Sequence, residues 1–300
     1  MTGGTWHKAA LAAHGLAYRL RPPTDLFRRS TLSHLRKLPP QEAAEAANAV
    51  LRACGVTGQH YTHDAESGLF ACHAGDRVHR FSEYTWMRTL SAGLEKRAEK
   101  LIREYHLAQV PLADGDSIVE VGANVGDLTL ALRHLGKSVH LTSFEPSPRD
   151  YQALALNIAA AAPLITGEAR NIALWKDNSA ALTFYLKTAT ADSSILPIEG
   201  YDKVIEVPAI RLDEAIPRGA YRLLKLEAEG AEPEVLEGAG DSIRQFQYVT
   251  ADVGYERGVS QDTTLPQVTN FLLKHGFEMQ AIGRRRLVVL YRNPSWSADA

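Results

Sequence analysis

Two acids bracket a glycine turn in the stretch Ser117–Pro146, SIVEVGANVGDLTLALRHLGKSVHLTSFEP. Glu120 stands just before Gly122-Ala123-Asn124-Val125-Gly126, and Glu145 closes the apolar run Val139–Phe144. Glycines let the backbone pass close to a ligand, and an acid after the second strand accepts hydrogen bonds from a ribose diol. A dinucleotide site needs G-x-G-x-x-G, with a pyrophosphate at a helix N-terminus. Here the spacing is Gly122-x-Asn124-x-Gly126, and a carboxylate at Glu120 repels a pyrophosphate while suiting an ammonium or sulfonium group. That pattern favours S-adenosylmethionine, an adenosine with a cationic amino-acid tail and no phosphate. A purely structural βαβ unit is the plainer reading, but it leaves two acids and an asparagine unexplained.

A second set of polar residues lies further on. Lys225 and Glu227 share a face of the strand predicted over Leu223–Glu227, because strand side chains alternate. Glu229 and Gly230 follow in a turn, and Asp252 ends the strand predicted over 245–252. Glu232 and Glu234 sit in the first turn of a helix opened by Pro233, a position that accounts for them without chemistry. His60, His63, His73 and His79, with Cys72 and Asp64 between, invite a zinc reading. Their spacing matches no C-x-x-C or H-E-x-x-H pattern, so no metal site is expected.

These residues need elements to position them. Ile118–Val121 reads as a buried parallel strand, followed by a helix with Leu128, Leu132 and Leu135 on one face. A helix over Pro148–Ala160 and a strand over 168–172 follow, with Asn171 and Ala173 near its C-terminal end. Ala181–Leu186 and Val204–Ile210 read as strands around a polar linker, Thr188–Ser194. Thr264–His275 reads as a helix closed by Gly276, and Phe277–Ile282 with Leu287–Tyr291 as an antiparallel pair turning at Arg284-Arg285-Arg286. Toward the N-terminus lie a basic segment (Arg19, Arg21, Arg28, Arg29, Arg36, Lys37), read as a solvated face, and an alanine-rich helix over 41–53. A two-stranded ribbon over 69–81 and a helical stretch over 85–105 complete that part.

The motifs E-V-G-A-N-V-G and S-F-E-P-S-P, with Asn171–Leu174, Lys225–Glu232 and Ala251–Gly258, resemble the FkbM family of methyltransferases over roughly residues 76–293. The resemblance implies an α/β fold: a doubly wound, Rossmann-like class I methyltransferase sheet with an antiparallel closing strand pair. It implies a methyltransferase domain over residues 105–293, an N-terminal appendage of helices and a short ribbon over 1–104, and a loose tail over 294–300. S-adenosyl-L-methionine is the implied cofactor, and the hydroxyl of a sugar or secondary metabolite is the implied acceptor. Cofactor contacts are expected from Glu120, Gly122, Asn124, Gly126 and Glu145, with Asn171 and Ala173 beside the adenine. Glu229, Glu227, Asp252 and Lys225 are expected on the acceptor side. The family usually has Asp where this chain has Glu227, whereas its Glu-Gly step is unchanged here, which favours Glu229 as the base. A divalent cation on these carboxylates is a variant reading.

Composition limits the rest. A net charge of −2 gives no reason to expect nucleic-acid binding. Two cysteines fit a reducing compartment, and no apolar run reaches the ~18 residues a membrane span needs. The apolar stretch over 9–13 is interrupted too soon for a secretory signal. A cytoplasmic enzyme with a small-molecule or glycan acceptor, and no membrane partner, is expected. Two rivals remain: a nicotinamide-dependent oxidoreductase, opposed by the missing G-x-G-x-x-G, and a non-catalytic binding protein on the same fold, opposed by the intact cofactor residues.

Overall fold

The computed structural model describes residue 27 and residues 29–187 and 193–298. Arg19, Arg21, Arg28 and most of the linker at 188–194 lie outside the described residues. The chain divides into two compact units, residues 1–97 and 98–300.

In the first unit α1 (Arg29–Leu35) is followed by α2 (Pro40–Ala53). A proline at the first helical position suits α2, because its missing N–H would have had no partner there. Ala43, Ala44, Ala47, Val50 and Leu51 form the buried stripe of α2. The expected ribbon is a three-stranded antiparallel sheet of β1 (Gln59–His63), β2 (Phe70–Ala74) and β3 (Arg77–Phe81). His60 and His73 face each other across β1 and β2 with rings stacked 4.6 Å apart. Among the described residues no three metal-binding side chains come together. The helix expected over 85–105 is two, α3 (Thr85–Thr89) and α4 (Leu94–Glu104). Gly93 adopts φ +100 between them, a conformation a helix cannot hold.

In the second unit the strands β4 (Asp116–Val121), β5 (Val139–Phe144) and β6 (Ile165–Arg170) alternate with α5 (Leu128–Leu135) and α6 (Pro148–Ala160). Three further strands, β7 (Ala173–Leu174), β8 (Ser179–Leu186) and β9 (Lys203–Ile210), make a small separate sheet. Then come α7 (Leu212–Ala215), β10 (Tyr221–Leu226), α8 (Glu232–Ala239), β11 (Phe246–Asp252) and the short hairpin of β12 (Tyr255–Arg257) and β13 (Asp262–Thr263). α9 (Leu265–Lys274), β14 (Glu278–Ile282) and β15 (Val288–Arg292) complete the unit.

The main sheet runs β14-β15-β11-β10-β4-β5-β6. β4, β5, β6, β10 and β11 are mutually parallel, and β15 is antiparallel to both its neighbours. From β4 the chain winds outward through β5 and β6, then returns to β10 on the other side of β4. The order reverses there, and in sheets of this kind the ligand lies beyond the C-terminal ends of the strands at the reversal. Alternation sends Leu224, Leu226, Val249 and Val289 into one core, with Leu236 and Leu272 from the helices. Ile118, Leu141, Leu223 and Leu290 enter the opposite core, against Leu128, Leu132 and Leu154. Each such side chain stabilises the fold by about 1.5–3 kcal/mol, which fixes the strand ends that carry the polar residues.

The segment after Asn293 is tied down at least as far as Trp296, contrary to the loose tail expected. The Trp296 indole donates to Gln245 O at 2.8 Å, and the Arg222 guanidinium lies 4.9 Å from its ring centre. No helix among the described residues is long and apolar enough to cross a membrane.

Candidate active site

β4 delivers Glu120 and then the glycine turn to the crevice. Gly122 adopts φ +69, and a Cβ there would come within 1.7 Å of Glu227 O, so only glycine fits between β4 and the end of β10. Gly122 and Ala123 both donate their N–H to Phe144 O at 3.1 Å, which binds the turn to β5. Asn124 takes the left-handed conformation (φ 47), which asparagine tolerates, and its side-chain oxygen accepts from Val125 N at 2.8 Å.

That twist aims the Asn124 N–H at Glu145. Oε2 of Glu145 accepts it at 2.7 Å, while Oε1 accepts Ser147 N at 2.8 Å. The side-chain amide of Asn171 donates to Glu145 O at 2.8 Å and to Pro146 O at 3.0 Å, holding the acid's backbone. Each carboxylate oxygen still has acceptor capacity, which matches two ribose hydroxyls. Burial, and then Asp150, push Glu145 up to about 8. Ala173 sits in β7 and is buried against the small sheet with Phe184, Val207 and Ala209.

Glu120 is fully buried. It accepts from the Ser143 hydroxyl at 2.9 Å, and Lys225, its register partner on β10, places Nζ 3.4 Å from Oε1. That approach is an ion pair without hydrogen-bond geometry, so Oε1 keeps an unfilled acceptor. Burial raises Glu120 to about 7 against the pull of Lys225. Lys225 reaches Glu227 as well, at 2.7 Å. Burial opposes its charge, but Glu227 and Glu120 outweigh that and hold its pKa above the ordinary lysine value. The two acids thus hold it as a cation.

The network continues through Arg286, just before β15, which donates to both Glu227 and Asp252. Lys225 Nζ and Arg286 Cζ lie 5.1 Å and 5.4 Å from the ring centre of Tyr105, a buried platform shared by both cations. Burial alone would raise Glu227, but Lys225 and Arg286 hold it well below the usual carboxylate range. Asp252 is raised, by burial first, with Arg286 opposing and Glu227 adding to the rise.

Glu232 stands in the first turn of α8, as expected, and is buried there. Its Oε1 accepts the N–H groups of Ala228 (2.8 Å) and Gly230 (3.2 Å), and Oε2 accepts the Thr264 hydroxyl at 2.9 Å. It ties down the turn that carries Glu229, which adopts φ 48. The Ser194 hydroxyl holds Glu229 O at 2.9 Å. Of the residues expected on the acceptor side, Lys225, Glu227 and Asp252 thus meet in one ion-pair chain with Glu120. Glu229 occupies the turn beyond it. Sequence reasoning missed Arg286, Tyr105, Glu232 and Glu256, a half-buried acid of β12.

A sheet reversing at β4 and β10, with an acid under the glycine turn and another at the end of β5, defines an S-adenosylmethionine-dependent methyltransferase. The model of the methyltransferase FkbM domain matches residues 120–279, more than half of the chain, and the chain belongs to that family. It is 29% identical over 208 residues to 31-O-demethyl-FK506 methyltransferase FkbM of Streptomyces tacrolimicus, a match spanning 57% of this chain and 76% of that one. Among solved structures it is similar to a putative rRNA-methylase from Clostridium thermocellum (8% identity, TM-score 0.41, 66% of this chain and 97% of that chain). It is also similar to a SAM-dependent methyltransferase from Aquifex aeolicus (10% identity, TM-score 0.39, 66% and 97%).

S-adenosylmethionine is the cofactor, and the donor set fits it. Glu145 offers two acceptors to a diol, and the enclosed Glu120 Oε1 offers one to an ammonium. No cationic side chain of the turn itself, Gly122–Gly126, favours a pyrophosphate. When bound, the cofactor supplies a methyl group already activated on a sulfonium.

Proposed function

We propose that this chain transfers the methyl group to a hydroxyl of a sugar or secondary metabolite, an O-methylation. The observation that carries this reading is the cluster of acids that follows β10 and β11, where Glu227 and Asp252 share Arg286 and Glu256 lies on β12. Methyl transfer to an alcohol oxygen requires loss of a proton, which a carboxylate at the crevice accepts. Alignment of acceptor, methyl carbon and sulfur does much of the remaining work, since the donor needs no further activation. The name of the Streptomyces relative, a 31-O-demethyl-FK506 methyltransferase, supports oxygen as the acceptor atom. We place the activity in residues 105–293 and in the cytoplasm, a location supported by the free thiols Cys54 and Cys72.

The test is a screen with methyl-labelled S-adenosylmethionine against free sugars, glycosides and polyhydroxylated metabolites, with the labelled atom located by NMR. Label on oxygen supports the reading. Transfer only to nitrogen or carbon contradicts it.

A further inference from the structure

We propose that Glu256 is the group that takes the proton from the acceptor hydroxyl, a role that rests on the O-methyl reading above. Three acids nearby are already engaged. Glu227 is held by Lys225 and Arg286, Asp252 by Arg286, and Glu232 by two backbone N–H groups and Thr264. Among the described residues the Glu256 carboxyl has neither a hydrogen bond nor an ion pair.

Its direction is built into the hairpin. Tyr255 pairs with Thr263 and Arg257 with Asp262, so β12 has one residue more than β13, and that extra residue is Glu256. Such a bulge re-aims a side chain away from the ladder. The bulge is anchored by Arg257, which donates to Gly230 O at 2.6 Å and to both oxygens of Glu234 at 2.9 and 2.6 Å. Gly230 is packed so tightly beneath it that a Cβ would come within 2.4 Å of Arg257 Cα. The result sets the Glu256 carboxyl opposite Asp252: a Cβ built on Gly254 would lie 3.2 Å from Asp252 Oδ1 and 3.7 Å from Glu256 Oε1. The enclosed Tyr105 hydroxyl adjoins Glu227 in the same cluster.

The charged groups whose fields reach Glu256 are Asp252 from β11, Glu227 beyond β10, Arg286 before β15 and Glu232 of α8. Burial first, then Asp252 and Glu227, push Glu256 up to about 8, with Arg286 pulling down. A base of that strength is better matched to an alcohol proton than an ordinary carboxylate. In the reaction the acceptor O–H bond breaks and its oxygen bonds the methyl carbon. The C–S bond breaks with its electron pair left on sulfur, and the proton ends on Glu256. Carboxylate and sulfonium become neutral acid and neutral thioether.

The first test needs no acceptor. S-adenosylmethionine carries a sulfonium where S-adenosylhomocysteine has a neutral sulfur, while the ribose and ammonium are common to both. Their affinities are measured by calorimetry from about pH 6.5 to about pH 9.5, and the ratio isolates charge facing the sulfonium. It should shift severalfold toward S-adenosylmethionine in the wild type as Glu256 ionises, and shift distinctly less in Glu256→Gln. A ratio with the same pH dependence in both proteins overturns the proposal. The second test uses any acceptor the wild type methylates on oxygen. Glu256→Gln should lower kcat by roughly 10²–10⁴-fold with cofactor affinity near neutral pH unchanged. Normal turnover by Glu256→Gln overturns the role alone, whereas wild-type transfer only to nitrogen or carbon overturns the reading beneath it.

Discussion

Arg286, in the turn before β15, donates its guanidinium to Glu227, 59 residues away at the end of β10. The edge of the sheet thereby locks the floor of the crevice. Glu227 and Asp252 are both largely buried and close enough to share this one cation. Arg286→Ala leaves them facing each other with Lys225 as the remaining neighbour cation. It should cost about 2–3 kcal/mol of stability, a figure reduced from that for fully buried pairs because Arg286 is partly exposed. Urea denaturation checks this, and a loss below about 0.5 kcal/mol would make the contact superficial.

The glycine turn gives a second prediction. Gly122→Ala places a methyl group 1.7 Å from Glu227 O at a positive φ. Both the turn and the start of the following loop must move, at a cost of about 2–4 kcal/mol. Cofactor binding should fall with stability. A variant that melts and binds like the wild type shows that the close approach is not there.

Glu232 sets the pH dependence of stability in this region. Burial raises it from the ordinary 4.5 to about 7. A carboxyl whose folded value lies above its unfolded value contributes fully below the unfolded value, and that contribution is lost as pH rises through about 7. The stability of the wild type relative to Glu232→Gln should therefore fall by about 2–3 kcal/mol between pH 5 and pH 8. Denaturation curves at the two values decide it. A constant difference would mean that Glu232 titrates as an ordinary acid.

Much of the unit that carries the expected cofactor residues was legible in the sequence because its signals are local. Glu120, Gly122, Asn124, Gly126 and Glu145 lie within one strand-turn-helix-strand unit whose apolar spacing states its own secondary structure. The acceptor half depends on contacts that sequence separation hides. Arg284-Arg285-Arg286 reads as a charged turn, and nothing local marks Arg286 as the partner of two buried acids. Glu232 is fully accounted for by its place in a helix's first turn until Thr264 and the 228–230 backbone close over it. Glu256 lies in a motif quoted for its family likeness, but its direction comes from a bulge that only the pairing of β12 with β13 reveals. The broken helix at Gly93 and the separate sheet holding Ala173 were missed for the same reason: tertiary packing overrode a locally plausible pattern.

The account rests most heavily on Glu145 as the acid that receives the ribose of S-adenosylmethionine. Its two oxygens already take Asn124 N and Ser147 N, which leaves each one free to accept a hydroxyl. Calorimetric titration of S-adenosylmethionine into the wild type and Glu145→Ala, with circular dichroism to confirm an intact fold, tests this directly. The account predicts saturable binding to the wild type and a loss of about 1–3 kcal/mol in the variant, the scale of leaving a buried polar partner unsatisfied. Equal affinity for both folded proteins would contradict it.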